Sequence, residues 1–209
     1  EELRRDGVVI DFLIRGAAPT PFSIILVKPD GSRTIVSYHA GTKKLPAEVL
    51  DLAACKAKVM LCDGHEPYLA QACISACRER GIATVLDAGS VHEGTRLLAP
   101  RVDYLVASEK FSRDFTGDNN PVSAALKLHR HAPNVVITRG SQGLVWHNAA
   151  GSGSLAAYPV RTVDTTGAGD SFFGGFLYRF LASGKTLKQV TIEDAADYAR
   201  FGNATASLC

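Results

Sequence analysis

The residues best suited to chemistry stand together in VDTTGAGDSFFGGFLYRFLASG, residues 163–184. Gly167-Ala168-Gly169-Asp170 precedes a stretch whose apolar residues keep helical spacing from Phe172 to a closing Gly184. Glycines at a helix start leave backbone N–H groups free, and the helix dipole makes that end attractive to phosphate. A carboxylate there suits a base that deprotonates an alcohol as it attacks a phosphoryl group. Taken alone, Asp170 could equally be a first-turn carboxylate that only complements the helix dipole.

Four short apolar runs alternate with helical stretches and predict the sheet that positions this segment. The runs are AKVMLC (57–62), IATVLD (82–87), VDYLVA (102–107) and NVVIT (134–138), and the first helix is predicted over 67–80. Such alternation favours an α/β fold with a mainly parallel sheet flanked by helices on both faces. Ligands bind beyond the carboxyl ends of such strands, where Asp63, Asp87, Ser108 and Thr138 fall. Each of these could also be an ordinary polar strand end.

Two hairpins are predicted outside this alternation. The first joins FSIILVK (22–28) to SRTIVSYH (32–39) through a Pro-Asp-Gly turn at 29–31. It should stand apart from the main sheet, with one face covering the substrate cleft or the lid of a second copy in a homodimer. The second joins 143–148 to 154–160, with 151–154 as a tight loop.

Composition narrows the class of partner. The formal charge is +2, with no block of like charges, so we expect neither nucleic acid nor a membrane surface as partner. No apolar stretch is long enough to span a bilayer. No Cys-x-x-Cys pair occurs, which favours reduced core thiols in a cytoplasmic protein, and the five cysteines are Cys55, Cys62, Cys73, Cys77 and Cys209.

The run DTTGAGDSF (164–172) resembles the C-terminal signature of the ribokinase-like (PfkB) carbohydrate kinases. The resemblance covers nearly the whole chain and implies a ribokinase-like fold with a small β lid. Residues 1–40 would be the lid region and residues 41–209 the nucleotide-binding and catalytic core. The implied activity is ATP-dependent phosphoryl transfer to a hydroxymethyl group of a sugar or sugar-like substrate, such as a ketohexose.

The same resemblance implies roles for residues of the signature. Asp170 would be the base, and the amides of Gly167, Ala168 and Gly169 would form the anion hole. We expect a side chain at Gly169 to crowd this hole and, should its φ be positive, to strain the backbone. Asp164 and Thr166 would begin a loop that binds a monovalent cation such as K⁺.

Two further segments resemble the nucleotide site of the family. VVITRGSQGLVWHN (135–148) resembles a strand followed by Thr-x-Gly-x-x-Gly, which implies that Thr138, Gly140 and Gly143 approach the ATP phosphates. ARFGNATASLC (199–209) resembles the helix that carries an Asn beside the adenine, here Asn203. Mg²⁺ is implied as the companion of ATP.

The sequence departs from the family pattern at the magnesium motif. Many relatives carry Asn-x-x-Glu after the strand that ends here at Ala107, and the aligned positions are Ser108 and Phe111. Ser108 is still expected near the nucleotide. Glu109 is the only carboxylate close to the missing Glu, so we expect it to reach Mg²⁺ through water.

A second departure concerns the ends of the fold. A Rossmann-like first strand, a substrate-binding Asp and a Gly-Gly-x-x-x-Asn segment are all missing from this sequence. We therefore expect the N-terminal part, with most of the substrate pocket, and the C-terminal end of the fold to be absent, leaving apolar strand edges bare.

Other functions stay open at this stage. A nucleoside kinase or another small-alcohol kinase would share the fold, and a non-catalytic nucleotide-binding protein could have lost turnover. A P-loop NTPase is disfavoured because Gly-x-x-x-x-Gly-Lys-Ser/Thr does not occur.

Overall fold

The computed structural model describes residues 1–28, 33–38, 41–50, 56–161, 164–186 and 189–209. The strands are β1 Phe22–Val27, β2 Arg33–Tyr38, β3 Val59–Cys62, β4 Ala83–Ala88, β5 Tyr104–Ser108, β6 Asn134–Thr138, β7 Leu144–Asn148 and β8 Gly151–Leu155. The α-helices are α1 Glu2–Arg5, α2 Pro67–Glu79, α3 Glu93–Leu98, α4 Glu109–Thr116, α5 Pro121–Leu128, α6 Ala168–Ala182 and α7 Ile192–Ala206.

The main sheet has six strands in the order β3-β4-β5-β6-β7-β8. The first four strands are mutually parallel, and β7 and β8 continue the sheet in antiparallel fashion. This arrangement confirms the mainly parallel sheet, because each of the four predicted apolar runs forms one of its parallel strands. Helix α2 begins at Pro67, as predicted, and ends at Glu79, one residue before the predicted end.

Both faces of this sheet are buried beneath helices. Side chains that alternate along one strand, such as Leu105 and Val106, enter two separate buried clusters. The first cluster includes residues of α2 to α5, and the second is built with the phenylalanines of α6 and with Tyr198 of α7. The strands therefore read as continuous apolar runs, as parallel strands covered on both faces should.

Helices α6 and α7 pack closely because two glycines face the opposite helix. A Cβ at Gly175 would stand 2.1 Å from the Thr205 hydroxyl, and one at Gly202 would stand 2.9 Å from the Phe172 ring. The Thr205 hydroxyl donates a hydrogen bond to the Ser171 carbonyl over 2.8 Å. This contact fixes the first turn of α6, where the predicted chemistry lies.

Two predicted boundaries are wrong. Helix α6 begins at Ala168, not at Phe172, because apolar spacing does not register the small residues of the first turn. The second hairpin turns at 149–150, where the Asn148 side-chain oxygen accepts bonds from the amides of Ala150 and Gly151. Residues 151–154 are therefore strand, not loop, and Gly153 leaves room for Trp146, whose ring would stand 2.7 Å from a Cβ there.

The first hairpin stands apart from the main sheet, as predicted. β1 and β2 form a two-stranded antiparallel sheet of their own, in which every described side chain is exposed. The predicted Pro-Asp-Gly turn and His39 lie outside the described residues, as does Cys55. The division of the chain at residue 40 stays a prediction.

The β3 edge of the main sheet matches the bare edge that the sequence predicted. In the described part of the chain, β3 pairs with β4 alone, whereas β4 has a strand on each side. Leu61 in β3 is 45% exposed. Among the described helices, none combines the length and apolar character that crossing a membrane requires.

Candidate active site

A cleft of about 520 Å³ opens at the carboxyl edge of the parallel strands. It brings together most of the predicted site residues: Asp87, Ser108, Thr138, Gly140, Gly143, Gly167, Ala168, Gly169, Asp170 and Asn203. Asp63, Glu109, Asp164 and Thr166 lie outside its lining. The cleft thus joins the ends of β4, β5 and β6 to the first turn of α6.

The floor of the cleft is the start of α6. Gly167, its N-cap residue, has a φ of +84°, which only glycine adopts at little cost. Gly169 shows no positive φ, and a Cβ there would meet nothing within 4 Å. The condition on which backbone strain at Gly169 was expected is therefore not met, since the left-handed turn is made at Gly167.

The backbone amides of this turn differ in whether they donate a hydrogen bond to the backbone. The Ala168 amide donates to the Thr165 carbonyl over 3.3 Å, a long bond. Within the described residues, no backbone acceptor engages the amides of Gly169 and Asp170, which belong to the four that a helix start leaves open. These amides and the helix dipole make this end of the cleft attractive to an anion.

Two carboxylates share the cleft. Asp170 stands exposed in the first turn of α6, and Asp87 lies near the end of β4. The pKa of Asp87 is raised to about 6, by burial first and then by the negative charges of Asp170 and Asp63, against a smaller opposing effect of His65. The sequence predicted Asp87 at this edge of the sheet, but its proximity to Asp170 depends on the fold.

The wall opposite α6 is the turn that follows β6. The Arg139 amide donates to the Gly143 carbonyl over 2.8 Å, which closes the turn. Gly143 has a φ of +80°, and a Cβ there would stand 2.0 Å from the Leu155 carbonyl oxygen, so no other residue fits. The Thr138 hydroxyl donates to the Ala107 carbonyl over 3.4 Å and so ties β6 to β5.

A second cavity, of about 310 Å³, adjoins the cleft along Gly140 and Asn203. Its outer wall is the segment 157–160, which follows β8 and contains Tyr158. The Asn203 side chain donates to the Ala156 carbonyl over 3.1 Å, which ties α7 to this wall. Cys209 also lines the cavity and is exposed, so its expected place in the core is wrong.

Comparison with known proteins agrees with the fold. The model of the pfkB family of carbohydrate kinases matches residues 1–209. The chain belongs to this family. A ribokinase of Staphylococcus aureus is 28% identical over 100% of this chain and 69% of its own length, and fructokinase-1 of Oryza sativa is 26% identical over 97% and 67%. The crystal structure of Thermotoga maritima ribokinase, 26% identical, superposes with a TM-score of 0.73 over 93% of this chain and 64% of that one.

The chain spans between about half and about two thirds of the length of the curated relatives it matches. The described residues include the turn at the start of α6, the Thr138–Gly143 turn and the helix of Asn203. The roles of the individual residues stay predictions after these comparisons.

Where the sequence analysis located the magnesium motif, the residues make contacts within the chain itself. The Ser108 hydroxyl caps α4 by accepting the Phe111 amide over 2.9 Å, and Phe111 itself is fully buried. Glu109 pairs with Arg139 over 3.1 Å instead of facing the cleft. The Asp164 carboxylate accepts bonds from the amide and hydroxyl of Thr166, 2.9 and 2.8 Å long, and lines the second cavity.

Sequence reasoning missed two features of the site. Arg139 stands inside the Thr-x-Gly-x-x-Gly motif at a position where the motif allows any residue. The only signal in the sequence was its charge between Thr138 and Gly140. The wall at 157–160 lay in what the sequence predicted to be strand. The signal in the sequence for an exposed apolar wall was Tyr158 and Val160, which flank Pro159.

Proposed function

We propose that the protein transfers the γ-phosphoryl group of ATP to a hydroxymethyl group of a sugar or sugar-like alcohol. One observation carries this proposal: the Asp170 carboxylate stands in the same helical turn as the open amides that suit a phosphate. A carboxylate weakens anion binding there, but it is well placed to take a proton from an attacking hydroxyl. The relatives named as a ribokinase and a fructokinase support a sugar as acceptor.

In the proposed reaction, Asp170 removes the proton of the acceptor hydroxyl. The hydroxyl oxygen then forms a bond to the γ-phosphorus, while the bond from this phosphorus to the β,γ-bridging oxygen breaks and ADP leaves. Charge spreads over the oxygens of the transferred group in this step. The amides at the start of α6, including those of Gly167 and Gly169, stabilise that charge because they are oriented before the reaction begins.

The cleft suits a hard cation. Its polar side chains include the oxygen donors Ser108, Thr138 and Asp170, and among the described residues no cysteine lines it. Such donors would hold Mg²⁺ through its bound water, and the ion would neutralise charge between the β- and γ-phosphates. Glu109 remains a predicted contributor to this hydration shell, and a K⁺ site at Asp164 and Thr166 remains a prediction.

We place the nucleotide base in the second cavity. The cavity continues from the phosphate end of the cleft past Asn203, so one extended ligand can occupy both spaces. Its walls include Tyr158 and Val160, which offer apolar surface to a planar base.

The predicted homodimer rests on the first hairpin. The apolar side chains of β1 and β2, including Ile24 at 53% and Leu26 at 56%, are too exposed for a surface that stays in water. A second copy would cover them, and sedimentation equilibrium would detect it. The cytoplasmic location stays a prediction from sequence.

The test is an acceptor screen. The protein is incubated with Mg²⁺, ATP and a panel of aldoses, ketoses and nucleosides, and the phosphorylated acceptor is identified by mass spectrometry. Asp170→Asn, purified in parallel, controls for contaminating kinases. We expect acceptor-dependent transfer to a sugar by the wild type alone. Transfer to nucleosides alone would indicate a nucleoside kinase, and nucleotide binding without any transfer would indicate a non-catalytic protein.

A further inference from the structure

Arg139 stands at the centre of the turn that follows β6. Its amide donates to the Gly143 carbonyl over 2.8 Å, and its carbonyl accepts the Gln142 amide over 3.1 Å. Its guanidinium donates to the side-chain oxygen of Gln142 and, through Nε, to Glu109 over 3.1 Å. The Arg139 side chain is 22% exposed and the Glu109 side chain is 41% exposed, so the pair is partly shielded from solvent.

Glu109 connects this turn to two other loops of the cleft. It is the first residue of α4, directly after Ser108. The Ser108 hydroxyl donates to the Gly89 carbonyl over 2.7 Å and thereby reaches the loop after β4. Gly89, Ser108 and Thr138 all line the cleft, whereas Arg139 and Glu109 do not. The ion pair thus lies behind the lining and joins the segments that form it.

We propose that Arg139 is a positioning residue, which holds the Thr138–Gly143 turn against the start of α4 through Glu109 and so preorganises the nucleotide site. The proposal rests on the proposed function, since it assumes that nucleotide binds at this turn. The physical reason is entropic. A turn held in place before binding loses little freedom when the phosphates arrive, whereas a loosened turn must be ordered by the ligand.

A rival role for Arg139 is direct contact with the phosphates, and a rival role for Glu109 is to hold Mg²⁺ through water. The three roles predict different relations between the effects of substituting Arg139 and Glu109 on nucleotide affinity. In a positioning pair, loss of either partner has the same consequence, and loss of both adds little. A direct phosphate contact makes Arg139 matter more than Glu109. A magnesium role makes the effect of Glu109 vanish when no Mg²⁺ is present.

The test is a double-mutant cycle on nucleotide affinity. Calorimetry measures ADP binding to the wild type, Arg139→Gln, Glu109→Gln and the double variant, once with Mg²⁺ and once with EDTA. We expect each single variant to raise the Kd about tenfold, as loss of roughly 1.4 kcal/mol requires. The double variant should raise it no further, and the same pattern should persist in EDTA. With a sugar acceptor, KM for ATP should rise while kcat changes by less than about threefold.

The matched control is Arg179→Gln. Arg179 forms an ion pair of the same kind with Asp197, over 2.6 Å, near the far end of α6, and it should leave the Kd unchanged. If Arg139→Gln fails to fold, Arg139→Lys, which keeps the charge but loses the Nε donor, replaces it in the cycle. Multiplicative effects of the two single variants, or a normal Glu109→Gln, would overturn the proposal. Absence of ADP binding by the wild type would overturn the proposed function as well.

Discussion

The start of α6 and the β1–β2 hairpin are both exposed to solvent, but the rest of the chain supports them very differently. The first turn of α6 is exposed, but it rests on buried Phe172 and Phe173 and is tied to α7 through Thr205. The hairpin has no buried side chain among its described residues, and each strand pairs only with the other.

This difference separates two uses of an exposed surface. A turn held rigidly from behind can keep its amides aligned for a phosphate before any ligand arrives, which is what electrostatic stabilisation of a transition state requires. A two-stranded sheet without a covered face has little stability of its own. The hairpin must therefore gain its stability from what it covers, and the predictions below test the contrast from the largest effect to the smallest.

The largest effect should follow from Asp170→Asn. The amide keeps the size of the side chain but cannot accept the proton, so turnover should fall by about 10²–10⁴-fold. Affinity for ATP should stay within about threefold or increase, because a negative charge beside the triphosphate is removed. Turnover and nucleotide Kd are measured on the same preparation. Near-normal turnover would exclude Asp170 as the base.

The support behind the turn is tested by two neighbouring glycines of α6. Gly175→Ala forces a methyl group against the Thr205 hydroxyl, at 2.1 Å, and should lower the free energy of unfolding by about 1–3 kcal/mol. Gly174→Ala is the matched control, because a Cβ there meets nothing within 4 Å. It should raise the free energy of unfolding by up to about 1 kcal/mol through helix propensity. Urea denaturation measures both, and equal effects would contradict close packing of α6 on α7.

Asp87 should make stability depend on pH. Its pKa is raised to about 6 by burial first and by Asp170 second, so the folded protein holds this proton more tightly than the unfolded chain does. Stability should therefore fall as the pH rises from about 4 to about 6, and stay lower above that range. Asp87→Asn should remove this loss and stabilise the protein by roughly 1–2 kcal/mol at neutral pH, after allowance for solvent screening.

Thermal unfolding at several pH values checks this dependence. Asp114→Asn serves as a control of opposite sign, because a hydrogen bond from Lys110 lowers the pKa of Asp114. Its replacement should not stabilise the protein at neutral pH, and its small contribution is lost only in acid. An Asp87→Asn protein that is less stable than the wild type at neutral pH would contradict the assignment of the raised pKa.

The smallest effect on folding should come from the hairpin. One face of it is apolar except for Thr34, and its residues are Phe22, Ile24, Leu26, Thr34, Val36 and Tyr38. Ile24→Ser should change the free energy of unfolding of the monomer by less than about 0.5 kcal/mol, because the side chain is exposed. It should weaken self-association measured by sedimentation, whereas Ser23→Ala on the opposite face should not. An unchanged association constant would remove the dimer proposal.

The sequence predicted local features of the site better than distant contacts. The Gly-x-Gly-Asp turn, the strand ends and the Thr-x-Gly-x-x-Gly turn follow from residues that are adjacent in the chain, and the cleft brings them together. The pairing of Arg139 with Glu109 joins residues thirty positions apart, and no local pattern encodes it. The sequence left the φ of Gly169 open for a related reason: which of the two glycines turns left-handed depends on where the helix begins.

The mixed direction of the strands has a consequence for the order of folding. Pairing of β6 with β7 and of β7 with β8 requires only short chain reversals, whereas the parallel pair β3–β4 aligns Val59 with Ala83 after a helix has formed between them. Closing longer loops costs more entropy and slows pairing. We expect the segment 134–155 to form early and to serve as the template on which the parallel strands assemble. In folding kinetics, substitutions at Val145 should then show φ-values (the change in folding activation free energy divided by the change in stability) well above those at Met60. The reverse order would place the folding nucleus at the parallel edge.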